Sequence, residues 1–236
     1  MATFVLIPGA GSDPWYWHLV APELERRGHE ALAVDLPCDD DRAGLAEYTD
    51  AVCDQLGTRR SGLVLVAQSM AGFTAPLVCT RVPVELMVLL AAMVPRPGEA
   101  PKDWWSATGH EEAVRRQAEL DGRPAGDVED PVALFLHDVP AGVAAESADH
   151  VRPQSATPFE APWPLPAWPD VPTRFLLCRH DRFFPPPFLR RVVAERLGIV
   201  ADEMDGGHLP ALAHPLELAD RLDGYARGEG TGGGQG

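Results

Sequence analysis

Short runs of apolar, often β-branched residues recur along the chain and predict buried β-strands. These runs lie at residues 3–8, 30–35, 62–68, 85–92, 173–179 and 199–204. Segments with the apolar spacing of a helix separate most of them, at 14–27, 45–56, 70–80 and 187–197, and another follows the last strand at 215–225. Such alternation is typical of an α/β fold, so we expect a mostly parallel sheet of about six strands flanked by helices.

The ends of the helical segments carry matching signals. Asp13 precedes Pro14, which combines a capping residue with a proline at the first helical position. Gly28 and Gly198 stand where two of the helices are expected to end.

The alternation stops between residues 94 and 171, where about half of the chain's 24 prolines fall. Proline lacks the backbone N–H and disfavours helix in its predecessor, so the proline-dense second half of this segment should be extended. Residues 104–120 and 131–147 could form two or three short helices. We therefore expect a core made of residues 1–93 and 172–227, with 94–171 inserted as a cap over the carboxyl edge of the sheet. The tail, 228–236, has no apolar anchor and is predicted to be disordered.

The charge balance narrows the function classes. With 20 Lys and Arg against 35 Asp and Glu the formal net charge is −15, and there is no basic stripe that would bind a nucleic acid.

The N-terminal segment has neither a basic start nor an apolar run long enough for a signal peptide or a membrane span, so we expect a cytoplasmic location. The four cysteines lie far apart with no C-x-x-C pair, so neither a metal site nor a disulfide framework is predicted.

The third predicted strand ends in LVLVAQSMAGF, which puts Ser69 at a sharp strand-to-helix turn. Ala67 and Ala71 flank the serine two positions away on either side, as a strained nucleophile turn requires, because larger side chains would collide there. The pattern is a variant of G-x-S-x-G with alanine for both glycines. The alternative is that Ser69 merely caps the following helix.

Two later strands end in the residue types that a serine nucleophile needs. Asp181 follows the fifth strand, and His208 follows the sixth in the glycine-flanked sequence DGGH. The chain order serine, acid, histidine is that of hydrolases with this architecture. His208 could take the serine proton as general base, while Asp181 holds the imidazole in the required tautomer.

The turn Gly9-Ala10-Gly11 after the first strand imitates a dinucleotide-binding fingerprint, with Asp35 downstream. The imitation fails because Pro14 stands where the third glycine would fall. An acyl-transfer site instead needs N–H donors for an oxyanion, and we expect the backbone of Ala10 and Met70 to supply them.

Together these residues resemble the α/β-hydrolase fold superfamily. The motifs LIPGAG, Trp15-x-Trp17, AQSMAG, CRHDRFFP and GGHLPALAHP are similar in order and spacing to those of the plant methylesterase and hydroxynitrile lyase group and its bacterial relatives. The resemblance implies Ser69, Asp181 and His208 as the catalytic triad, Ala10 and Met70 as oxyanion donors, the cap as the specificity element, and no cofactor.

The chain departs from the pattern of that group at several positions. Pro8 and Gln68 stand where the group usually has histidines, and Ala67 stands where it has a glycine. Hydroxynitrile lyases of the group carry a lysine just after the catalytic histidine, whereas this chain has Leu209, which disfavours lyase chemistry.

The leading hypothesis is a serine carboxylesterase that acts on a small neutral ester through an acyl-enzyme on Ser69. A net charge of −15 should disfavour anionic substrates. The cap aromatics either line the substrate pocket or hold the cap to the core. The pocket residues that we expect are Trp15, Gln68, Trp104, Trp105, Phe135 and Leu209, with Trp163 and Trp168 as further cap candidates.

Two alternatives stay open: a small-molecule receptor with negligible turnover, and another reaction on the same scaffold, such as lactone, amide or carbon–carbon cleavage, lyase chemistry or cyclisation. The expected partner is a small-molecule substrate rather than a nucleic acid or a membrane. A homodimer stays open.

Overall fold

Six parallel strands form the centre of the protein, whose computed structural model describes residues 1–229. The strands are β1 Thr3–Ile7, β2 Glu30–Ala33, β3 Leu63–Gln68, β4 Leu86–Leu90, β5 Thr173–Cys178 and β6 Asp202–Met204. They lie in the order β2-β1-β3-β4-β5-β6, and every neighbouring pair is parallel. The predicted α/β fold with six strands is confirmed.

Helices cover both faces of the sheet. Within residues 1–229 they are α1 Ala21–Arg26, α2 Leu45–Leu56, α3 Ala75–Cys79, α4 Pro101–Thr108, α5 His110–Leu120, α6 Pro131–Phe135, α7 Ala141–Ser147, α8 Thr157–Glu160, α9 Pro186–Leu197, α10 Pro210–Ala213 and α11 Pro215–Ala226. Single 3₁₀ turns occur at Pro14–Trp17, Ser69–Gly72, Ala125–Val128 and Ala148–His150.

The alternating side chains of the inner strands divide the core into two layers. In β1, Val5 and Ile7 belong to one buried cluster, whereas Phe4 and Leu6 belong to the other. The first cluster also includes buried residues of α2 and α9, and the second includes those of α1 and α11. Because successive side chains of a strand point to opposite faces, helices on both faces bury the sheet, which is why its strands are continuous apolar runs.

Two predicted helices are broken where proline interrupts them. Residues 14–27 form a 3₁₀ turn followed by α1, and residues 70–80 form a 3₁₀ turn followed by α3. Pro22 and Pro76 lie in the first turns of α1 and α3, where the missing proline N–H costs no helical hydrogen bond. The side chain of Asp13 caps the first 3₁₀ turn, as predicted, by accepting a hydrogen bond from the Trp15 N–H at 2.8 Å.

The segment between β4 and β5 contains α4 to α8 and no strand of the sheet. Its first half has more helices than expected, because Gly109 adopts a left-handed conformation with φ of 69° and separates α4 from α5. The segment contributes side chains to the cavity at the carboxyl ends of β1, β3 and β6. The division into core and cap stays a prediction, and most of the predicted disordered tail, residues 230–236, lies outside the described residues.

No helix in the described part of the chain is both long and apolar enough to cross a bilayer. The expected cytoplasmic location stays a prediction.

Candidate active site

Ser69 stands at the junction between β3 and the 3₁₀ turn that follows it, with φ of 54°. A positive φ is uncommon for a residue with a side chain and marks a strained turn. The position three residues after Ser69 has to be a glycine because the turn lies against the segment that follows β4. A β-carbon added at Gly72 would lie 1.9 Å from the Met93 carbonyl oxygen, and the Met93 N–H donates to the Ser69 carbonyl at 2.9 Å.

The structure brings Ser69, His208 and Asp181 together across the carboxyl ends of β3, β6 and β5. The His208 Nε2 lies 3.1 Å from the Ser69 Oγ, and the His208 Nδ1 lies 2.8 Å from the Asp181 Oδ2. Asp181 and His208 are both 2% exposed. Because parallel strands end at one edge of the sheet, three residues distant in sequence meet there. The arrangement allows a proton to pass from the hydroxyl to the imidazole.

The second oxygen of Asp181 is held by the backbone of its own loop. The Phe183 N–H and the Phe184 N–H donate to Asp181 Oδ1 at 2.9 and 2.8 Å. These two donors hold the carboxylate in place and orient its other oxygen toward His208. Phe135, Phe183 and Phe184 surround the imidazole, with ring centroids 4.9–5.5 Å from that of His208. Such packing limits rotation of the ring and access of water to it.

The turn after β1 is hydrogen-bonded to a segment that follows α7. The Gly11 N–H donates to the Gln154 Oε1 at 2.9 Å, and the Arg152 N–H donates to the Gly11 carbonyl at 2.9 Å. Ala10 and Met70 line the same cavity as Ser69. Among residues 1–229, neither the Ala10 N–H nor the Met70 N–H donates a hydrogen bond to another protein group.

A cavity of about 450 Å³ opens beside Ser69 and His208. This volume is in the range of small-molecule sites. Five of the residues expected in the pocket line it, namely Trp15, Gln68, Trp105, Phe135 and Leu209. Sequence reasoning missed other lining residues, notably Met93, His150, Phe159, Phe183 and Leu212. Of these, only Phe183 carried a sequence signal, because it lies two residues after Asp181.

The prediction that Trp104 lines the pocket is wrong. Its side chain is fully buried, its indole N–H donates to the Val94 carbonyl at 3.1 Å, and its ring packs against Phe184 and Phe188. Trp163 and Trp168 also point away from the cavity, with their indole N–H groups bonded to the carbonyls of Phe73 and Pro95. Trp104, through Phe184 and Phe188, and Trp163, through Phe73, attach the segment between β4 and β5 to the rest of the protein, which was the alternative left open. The Trp168 contact with Pro95 lies within that segment.

Other polar groups near Ser69, His208 and Asp181 are poorly suited to act as a nucleophile or a base. Burial raises the pKa of the Cys178 thiol well above its ordinary value, so the thiol stays protonated at neutral pH. Burial lowers the pKa of His110, whose Nε2 donates to the Phe183 carbonyl at 2.7 Å. Burial also raises the pKa of Tyr16, which lines the cavity as a neutral phenol. Within the described chain, no group of three or more His, Cys, Asp or Glu side chains is arranged to hold a metal ion.

Comparisons with known proteins agree with this architecture. Norfluorocurarine synthase 1 from Strychnos sp is 22% identical over 260 residues, which cover 93% of each chain. Methylesterase 7 from Arabidopsis thaliana is 33% identical over 104 residues, which cover 39% of this chain and 40% of the relative. The crystal structure of polyneuridine aldehyde esterase superposes with a TM-score of 0.76 at 19% identity and covers 94% of this chain and 98% of its own.

Because its sequence identity is only 19%, the similarity to the solved structure supports the fold alone. A sequence model of the alpha/beta hydrolase family, by contrast, matches residues 4–221. That match includes β2 to β6, all of β1 except Thr3, and the ends of β3, β5 and β6 where the serine, the aspartate and the histidine stand. The resemblance noted in the sequence is therefore confirmed, and the protein is an enzyme that belongs to the alpha/beta hydrolase family.

Proposed function

We propose that the protein is a carboxylic ester hydrolase in which Ser69 forms a covalent acyl-enzyme. The observation that carries the proposal is the continuous hydrogen-bonded path from Ser69 Oγ through the His208 ring to Asp181, with distances of 3.1 and 2.8 Å. An isolated serine is a weak nucleophile, and an adjacent imidazole activates it by accepting its proton. Because Asp181 is buried and accepts two backbone N–H groups, it favours the imidazolium that forms in this step.

The reaction proceeds in two halves. In the first, Ser69 Oγ bonds to the ester carbonyl carbon while its proton moves to His208 Nε2. The tetrahedral intermediate then collapses, and the alcohol leaves with that proton. In the second half, His208 takes a proton from water, the hydroxide adds to the acyl carbon, and the Ser69 oxygen leaves with the proton returned by His208. The products are one alcohol and one carboxylic acid, and the enzyme is regenerated.

The backbone N–H groups of Ala10 and Met70 are the proposed donors to the developing oxyanion. Two observations support this assignment: both residues border the cavity at Ser69, and neither N–H is used by another group of the described chain. Loss of one such donor typically costs about 3–4 kcal/mol of transition-state stabilisation.

The chemistry of the cavity favours an uncharged ester with an apolar portion. Aromatic and aliphatic side chains dominate its wall, and none of the described lining residues is a lysine or an arginine. A carboxylate on the substrate would have no cationic partner there and would pay for desolvation. The methylesterase and esterase relatives agree with ester chemistry.

Hydrolysis of p-nitrophenyl esters from acetyl to octanoyl tests the proposal. We expect turnover by the wild type, with a chain-length optimum set by the cavity, and a loss of at least about 10³-fold in kcat for Ser69→Ala. Ser106→Ala is the matched control, because Ser106 is an exposed serine on α4 whose hydroxyl bonds only the Asp103 carbonyl. Equal activity of wild type and Ser69→Ala would contradict the acyl-enzyme mechanism.

A second candidate is a non-hydrolytic reaction at the same three side chains. It is favoured by one observation: a relative that covers 93% of the chain is a synthase rather than an esterase by name. Under this alternative, folded wild type releases no p-nitrophenol from any ester of the series, and mass spectrometry finds no acyl adduct on Ser69. An adduct that disappears with time supports the hydrolase.

A further inference from the structure

The loop between β6 and α10 carries His208, and its backbone is held on both sides by side chains from elsewhere. The residue before the histidine is bonded through its N–H, and the histidine itself through its carbonyl. One side chain comes from the segment between β4 and β5, and the other comes from the end of β3. Neither has a role in the proton transfer described above.

Asp138 is the first of these side chains and lies between α6 and α7. Its Oδ2 accepts a hydrogen bond from the Gly207 N–H at 2.6 Å, across 69 positions of sequence. A carboxylate that accepts from a backbone N–H makes a stronger bond than a neutral acceptor does. The side chain of Asp138 is largely buried, with 19% of its surface exposed, so water competes weakly for this bond.

The glycine before His208 is what lets Asp138 come so close. A β-carbon at Gly207 would lie 2.7 Å from His137 Cε1 and 2.8 Å from Asp138 Oδ1. Both distances are shorter than a carbon atom tolerates, so with a larger residue the side chains of His137 and Asp138 would have to move away from the loop. The DGGH sequence thus serves the approach of Asp138 as well as the turn of the loop.

Gln68 is the second side chain and immediately precedes Ser69. Its Nε2 donates to the His208 carbonyl at 3.1 Å, and the residue is 2% exposed. The opposite side of the carboxamide packs against Gly9, where an added β-carbon would lie 2.3 Å from Gln68 Oε1. The residue next to the serine therefore also binds the backbone of the histidine.

We propose that Asp138 and Gln68 are positioning residues for His208, and this inference rests on the proposed hydrolase mechanism. Together they fix the backbone of the histidine loop at Gly207 and His208, so that Nε2 stays within hydrogen-bond reach of Ser69 Oγ. Catalytic groups lose about 10²-fold in rate when they are displaced by 1 Å. Removing either bond should therefore lower the rate of bond formation at Ser69 more than it weakens substrate binding.

Phosphonylation of Ser69 by a fluorophosphonate tests the inference, together with steady-state hydrolysis of p-nitrophenyl butyrate. The probe forms an Oγ–P bond with loss of fluoride, and its rate depends on proton removal by His208. We expect Asp138→Ala and Gln68→Met to lower the labelling rate and kcat by about 10- to 100-fold. For Asp138→Ala, whose side chain is not among the cavity-lining residues, KM should change less than about 3-fold. In Asp138→Asn the amide oxygen can still accept from Gly207, so its rates should lie between those of wild type and Asp138→Ala.

Two control variants distinguish positioning of His208 from two general effects of a substitution: weaker attachment of the 94–171 segment and loss of a negative charge. Thr157→Val removes another hydrogen bond between the 94–171 segment and the core, from Thr157 Oγ1 to the Asp41 carbonyl at 2.7 Å. Glu146→Gln removes an exposed charge from α7, close in sequence to Asp138. Both should label at the wild-type rate, and circular dichroism should show that all variants are folded. If Asp138→Ala does not fold, Asp138→Asn and Gln68→Met carry the test.

The outcomes separate this inference from the mechanism beneath it. Wild-type protein that neither reacts with the probe nor hydrolyses the ester overturns the proposed function and the inference together. A reactive wild type whose Asp138 and Gln68 variants label equally fast overturns the inference alone. So does an equal loss in Thr157→Val, because any loosened attachment would then have the same effect. Slower labelling confined to the Asp138 and Gln68 variants, and less than additive in the double variant, supports it.

Discussion

Ser69 adopts a backbone conformation that favours glycine, with φ of 54°. A side chain in this left-handed region costs about 1–2 kcal/mol, whereas glycine loses about 0.5–1 kcal/mol through its freer unfolded state. We therefore expect Ser69→Gly to be more stable than Ser69→Ala by about 0.5–1 kcal/mol, with both variants inactive. Urea denaturation of the two variants, which lack the same hydroxyl, measures this difference.

Ser106 is the matched position for the same pair of substitutions. It lies within α4, where glycine should be less stable than alanine by about 1 kcal/mol. The sign of the difference should thus reverse between the two positions. If alanine is more stable than glycine by a similar amount at positions 69 and 106, the turn at Ser69 carries no backbone strain.

Whether a single residue belongs to the candidate site could be predicted from the sequence only where the local pattern determines its position in the fold. Ser69, Asp181 and His208 could be singled out because each follows a predicted strand, although their catalytic roles stay a prediction. The orientation of Trp104 could not be deduced, because an indole at a helix surface serves a cavity or a core equally well until the packing partners are known. The contact of Asp138 with the histidine loop gave no signal, since it depends on two segments 69 residues apart.

The junction of β3 with its following turn is packed against the end of β4 without space for a methyl group. At Gly72 a β-carbon would lie 1.9 Å from the Met93 carbonyl oxygen, which is backbone and has no rotamer to change. We expect Gly72→Ala to lower the free energy of unfolding by about 3 kcal/mol, because the turn after β3 and the segment after β4 must move apart. Thermal and urea unfolding measure the change.

Gly142 on α7 is the matched control for this substitution. Nothing lies within 4 Å of a β-carbon added there, and the residue is inside a helix. Alanine should therefore stabilise that position by about 0.5–1 kcal/mol. Equal effects of the two substitutions would mean that the close approach of β3 to β4 is not a constraint on the fold.

The presence of each strand and helix could be predicted from the sequence more accurately than the residues at which it begins and ends. All six strands occur within three residues of the predicted ends, because fully buried parallel strands are continuous apolar runs. The helices predicted at 14–27 and 70–80 are each split, since proline can begin a helix but cannot continue one. The helices of the 94–171 segment were underestimated, because a left-handed glycine at 109 divides a stretch whose apolar spacing is continuous.

The charge of the whole molecule acts on any substrate before it reaches the cavity. The chain carries −15 at pH 7, and Lys102 is its one lysine. Asp13 lies on the cavity wall with its Oδ2 2.8 Å from His150 Nδ1, and the cavity-lining residues among the described ones include no lysine or arginine. A field of this sign should disfavour anionic esters and assist departure of a carboxylate product.

Two esters of equal acyl length but different charge test the effect of this field. They are p-nitrophenyl pentanoate, which is neutral, and p-nitrophenyl hemiglutarate, which is anionic. At 0.01 M salt the screening length is about 30 Å, and at 1 M it is about 3 Å. We expect kcat/KM for the neutral ester to exceed that for the anionic ester by at least about 10-fold at low salt, and the ratio to narrow severalfold at high salt. The change should come from the anionic ester, since an uncharged substrate does not respond to screening. A ratio that is large but independent of salt would assign the exclusion to desolvation inside the apolar cavity rather than to the field of the molecule.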